Sequence, residues 1–77
     1  MWSEDIIACP STDCMYRYWV KHHDEGSLFG IEGGKISKLT IRKNNENRDL
    51  CNYDRGWDVE PENEVITIYS IILHKYN

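Results

Sequence analysis

Met15-Tyr16-Arg17-Tyr18-Trp19-Val20-Lys21-His22-His23 changes character at every step. Tyr16, Tyr18, Val20 and His22 fall on one side; Arg17, Trp19, Lys21 and His23 fall on the other. Aromatic and β-branched residues suit a pleated surface, so the spacing predicts a strand with its tyrosines and valine turned inward. Arg17 and Lys21 mark the wetter side.

Reading outward from this strand, Trp2 to Ala8 contains the short apolar run Ile6-Ile7-Ala8 and is expected to form a first strand. Pro10-Ser11-Thr12-Asp13 has turn chemistry. In the other direction, Asp24-Glu25-Gly26-Ser27 ends the strand, Leu28 to Ile31 reads as a short extended piece, and Gly33-Gly34 reads as a tight hairpin turn. Lys35 to Arg42 alternates again, with Ser37, Leu39 and Ile41 inward. Lys43 to Asn47 is a polar turn, and Arg48 to Tyr53 returns as a partner strand carrying Cys51 and Tyr53 on one face. At Tyr53-Asp54-Arg55-Gly56-Trp57-Asp58, Gly56 is expected to permit a bend and Trp57 to pack.

The periodicity then changes. Val65, Ile68, Tyr69, Ile72, Leu73 and Tyr76 follow the three-and-four spacing of a helix stripe, which predicts a helix over Pro61 to Tyr76. Pro61 suits a first helical position, Glu62 and Glu64 suit the positive end, and His74 and Lys75 suit the negative end. Ile66 and Ile71 fall off the stripe, so apolar surface is expected on the outer side of the helix. The expected architecture is α+β, with residues 1–77 as one domain. It comprises an antiparallel sheet of three to five short strands, one C-terminal helix on a face, and an N-terminal loop tied by zinc.

The zinc expectation comes from the thiols. Cys9 and Cys14 lie five positions apart, Cys51 is far downstream, and the sequence holds 3 histidines. Three readings compete: buried apolar thiols, a Cys9–Cys14 disulfide that leaves an odd cysteine, and a tetrahedral metal site. A chain of 77 residues gains little from burial alone, which favours a metal clip. The expected ligands are Cys9, Cys14, Cys51 and His22, with His23 and then His74 as substitutes for His22. Four protein ligands leave no open position, so the zinc is expected to be structural.

Thirteen Asp and Glu residues face nine Lys and Arg, a formal charge of −4. That balance argues against a general nucleic-acid binder and suits a partner with a basic surface. The acidic run Asp58 to Glu64 is read either as a solvated helix start or as a contact for a basic groove. Asp54 and Asp58 as an acid–base pair would need an enclosed cleft that so small a chain can scarcely provide, so no enzymatic activity is expected. No apolar run is long enough to cross a membrane, no leader is visible, and the odd cysteine count suits a reducing cytoplasm. A monomer is expected.

Gly26-Ser27-Leu28-Phe29-Gly30-Ile31-Glu32-Gly33-Gly34-Lys35-Ile36-Ser37-Lys38-Leu39 and Asn52-Tyr53-Asp54-Arg55-Gly56-Trp57-Asp58 resemble a family of small phage and prophage proteins that largely lack an assigned function. The thiols at Cys9, Cys14 and Cys51, with the length and acidity, are also similar to a zinc-binding member of the phage-encoded anti-CRISPR proteins. That second resemblance implies an inhibitor in the host bacterial cytoplasm. It would bind the type II CRISPR effector nuclease as a protein partner and block loading of target DNA, without contacting nucleic acid itself. The alternative is a zinc-stabilised nucleic-acid-binding or phage accessory module without inhibitory activity. No inhibitory residue carries over, because anti-CRISPR proteins share no common motif.

Overall fold

Each strand pairs antiparallel with the next in sequence, giving a five-stranded meander in the computed structural model. The structure describes residues 1–9, 14–26, 28 and 30–77. The strands are β1 (Trp2–Ala8), β2 (Met15–His22), β3 (Ile36–Lys43), β4 (Asp49–Asp54) and β5 (Trp57–Val59). A helix, α1 (Glu64–Tyr76), follows and covers one face. The α+β expectation therefore holds, with the strand count at the upper end. The Pro10–Asp13 turn, Ser27 and Phe29 lie outside the described residues.

Alternation in β2 places Tyr16, Tyr18 and Val20 in the core, where they meet Leu39 and Ile41 of β3 and Cys51 and Tyr53 of β4. Val65, Ile68 and Ile72 of α1 close the core from above, and Tyr69, Leu73 and Tyr76 flank it half-buried. The helix stripe read from spacing is the buried stripe.

Three local expectations need correction. Ile36, not Ser37, opens the inward face of β3: the register shifts between Lys21 and His22, so His22 pairs with Ile36 and the alternation restarts there. Such an extra residue flips the faces on either side of it. Ile31 to Gly33 forms one turn of 3-10 helix instead of joining an extended piece to a hairpin, with Glu32 and Gly33 at positive φ. The bend before β5 is carried by Arg55 (φ 60), while Gly56 needs no positive φ.

The helix also begins later than Pro61. Asn63 stands before its first turn at φ 54 without bonding its side chain to the helix, so Pro61 and Glu62 remain in the connection. Glu64 alone of the expected acids sits in the first turn. At the other end Asn77 takes a role that no periodicity marks. Its side-chain oxygen accepts the amides of Lys35 (2.7 Å) and Ile36 (3.1 Å), and its amide nitrogen donates to the Ile31 carbonyl (3.2 Å).

Candidate functional site

The antiparallel return from β1 to β2 brings Cys9 and Cys14 together: the Cys9 amide donates to the Cys14 carbonyl at 3.0 Å. Cys9 is buried and Cys14 half-buried. Cys51 is also buried, but it lies on the core side of β4, opposite Ile41. Burial, with the Asp49 carboxylate adding to it, pushes its thiol from 9.0 up to about 12. A thiol so shifted keeps its proton at neutral pH.

His22 is not brought to these cysteines. The whole of β2 separates it from Cys14, which at about 3.3 Å per residue is roughly 26 Å. Its Nε2 lies 3.0 Å from the Ser3 hydroxyl, and its ring packs 4.8 Å from that of Tyr76. Burial lowers its pKa, with the Met1 amine adding to the effect. His23 reaches the Ser37 hydroxyl at 3.0 Å, and His74 is exposed near the end of α1. Among the described residues, no three His, Cys, Asp or Glu side chains gather around a point that could hold a metal ion.

Two other surfaces hold more chemistry. At the start of α1 a groove of about 520 Å³ is lined by Lys43, Arg48 and Asp49 together with Glu60, Glu62 and Glu64. Tyr16 donates its hydroxyl to Glu64 Oε1 at 2.6 Å at the edge of this groove, pinning the helix start to β2. Burial first, and then this carboxylate, raise the Tyr16 pKa. Beside the groove Trp57 packs against Tyr53 (5.0 Å between ring centres) and Tyr69 (5.5 Å). Even so, Trp57 is 40% exposed and Val59 38%. Ile66, one helical step from Tyr69, is 49% exposed. Asp58, Glu60 and Glu62, close to these residues in sequence, are exposed as well.

The second surface is the bare side of the sheet, opposite α1. Trp2 and Trp19 face outward there, and a depression of about 280 Å³ lies between them, Thr40 and Arg42. The sequence marked this side as wetter through Arg17 and Lys21. Alternation also turns Lys38, Thr40 and Arg42 of β3 outward, but that Lys38 and Arg42 stand directly opposite Lys21 and Arg17 is not readable from either strand alone.

The motif-bearing segments of the meander and the helix lie within a single match: residues 1–77 correspond to a domain of unknown function, DUF7678. The chain belongs to the DUF7678 family. The resemblance to a small uncharacterised family is thereby supported over the whole chain. No curated protein and no solved structure matches this DUF7678 chain. Among its described residues no helix is long and apolar enough to cross a membrane.

Proposed function

We propose that this DUF7678 chain is a non-enzymatic binding module that docks its acidic, partly apolar edge onto a basic groove of a protein partner. One observation carries the reading: Trp57, Val59 and Ile66 are exposed, and so are Asp58, Glu60 and Glu62, which lie close to them in sequence. Burying apolar groups supplies affinity, and nearby acids select a basic partner and speed encounter. Tyr16, Tyr18, Tyr69 and Cys51 are pushed upward, chiefly by burial, so at neutral pH these four hold their protons and none of them is poised as a nucleophile.

The partner proposed is the type II CRISPR effector nuclease, whose nucleic-acid channel is a basic groove, as the sequence resemblance implies. Occupying that channel would stop target DNA from loading. The test is cleavage of a matched target by the guide-loaded nuclease, with this chain added in increasing molar excess. Inhibition is expected, and Glu60→Lys with Glu62→Lys should abolish it while the fold persists, since both side chains are exposed. Undiminished cleavage at large excess would sink the proposal.

A further inference from the structure

The bare face of the sheet contains an arrangement that costs the fold stability. Three cross-strand pairs run along β2 and β3 on that face: Lys21 with Lys38, Trp19 with Thr40, and Arg17 with Arg42. Like charges directly opposite one another destabilise a sheet. Here there are two such pairs, one on either side of a tryptophan. Carboxylates from the flanking strands β1 and β4 relieve them only in part: Glu4 stands 3.8 Å from Arg17, Asp54 3.8 Å from Lys38, and Asp49 2.6 Å from Arg42. The first two pairs are long and exposed, a class of ion pair that contributes little.

The rings sit within this frame of cations. Arg42 and Arg17 lie 5.3 Å and 6.0 Å from the Trp19 ring centre, and Lys21 lies 6.0 Å from that of Trp2. Trp2 is 57% exposed. The depression is lined by Trp2, Trp19, Thr40 and Arg42. These residues supply two aromatic rings and hydrogen-bond donors, the chemistry that a planar heterocycle can use. Arg17 and Lys21 are separated by roughly 13 Å along β2, so groups on both sides of a bound ring meet a cation.

We propose that this face binds single-stranded nucleic acid, with a base stacked at Trp2 and Trp19 and the flanking phosphates held by the Lys21–Lys38 and Arg17–Arg42 pairs. Sheet-borne aromatics with cations beside them are a recurrent means of holding unpaired bases. An acidic peptide would satisfy the cations but gives the two rings no role. A duplex hides its base faces and needs many phosphate contacts, which a molecule of charge −4 opposes. Four of the nine Lys and Arg residues stand on this face, against the three carboxylates of Glu4, Asp49 and Asp54, so the face carries a small positive excess in a chain of charge −4. The proposal rests on a different surface from the acidic edge, so either can fail alone.

The test is fluorescence anisotropy of a labelled oligothymidylate and oligouridylate of about 12 nucleotides, within the span that single-strand binders cover. Binding at low salt is expected, weakening with salt along a log–log slope of about −3, as for four phosphates on a single strand. Trp2→Ala should weaken binding about tenfold or more. Lys38→Gln should lower the slope by about 0.7. Thr67→Ala, exposed on α1, should leave both unchanged. Three outcomes would overturn the proposal: no binding at low salt, wild-type binding by both Trp2→Ala and Lys38→Gln, or equal displacement by a polyglutamate peptide. The two variants alter exposed or half-exposed side chains, and a thermal melt of each confirms folding.

Discussion

The Asn77 side chain occupies the space where a Gly34 side chain would begin, so a Cβ at Gly34 would overlap the amide that ties α1 to β3. Asn77 makes three hydrogen bonds to backbone there, one of them to the amide of buried Ile36. These groups are exposed or part-buried, so water can replace the lost partner, and Asn77→Ala should cost about 0.5–1.5 kcal/mol, the net range of a typical hydrogen bond. Gly34→Ala should cost a similar amount by expelling the same amide, and the double variant should cost less than the sum. Urea unfolding midpoints at unchanged m-value would measure all three.

Stability should decline in alkali. Tyr16, Tyr18 and Tyr69 are raised from 10.0, and Cys51 from 9.0 to about 12, each chiefly by burial. A group that binds its proton more tightly when folded stabilises fully below its unfolded pKa and loses that contribution as pH rises through the folded value. The fall should begin near pH 9 with Cys51 and steepen above pH 10 with the tyrosines. Its slope is at most about 1.4 kcal/mol per pH unit for each group. Tyr16→Phe should flatten the upper part. A midpoint constant to pH 11 would contradict the burial of these groups.

Arg55 holds a left-handed backbone at φ 60 without the freedom of glycine. Arg55→Gly should raise stability by about 0.5–1 kcal/mol, since relief of steric strain outweighs the added entropy of the unfolded chain. Gly56→Ala should be near neutral, because nothing lies within 4 Å of the added carbon. Thermal melting of the pair distinguishes the two positions.

The position of His22 bears on the expected zinc. A residue separated from Cys14 by the length of β2 cannot share an ion with it. Elemental analysis of protein purified without chelator should give the same zinc content for His22→Ala as for the wild type. A loss of zinc in that variant would mean that β2 does not run as described.

Most of the architecture was legible because period alone carries it. Alternation in β2 and the stripe from Val65 to Tyr76 each name their buried residues without reference to another strand. The failures came where a single residue decides between alternatives. The bulge opposite His22 moved Ile36 inward, and Asn63 at positive φ delayed the helix. The candidate sites were less legible still. Two cations on β2 look like an ordinary solvated face until β3 sets two more directly opposite. The acidic edge was readable as composition, and Trp57 packs on Tyr53 and Tyr69 as expected, but that it also stays part-exposed was not readable.

A meander whose neighbours in space are neighbours in sequence can assemble by successive hairpins, so the sheet needs few distant contacts before the helix arrives. Two amides stand outside that scheme. Lys35 and Ile36 find their acceptor on Asn77, beyond the end of α1. Their exchange with deuterated solvent should therefore follow detachment of the helix end, while the amides between β2 and β3 should exchange only when the sheet itself opens. One short connection thus carries a built-in reporter for the docking of the last element.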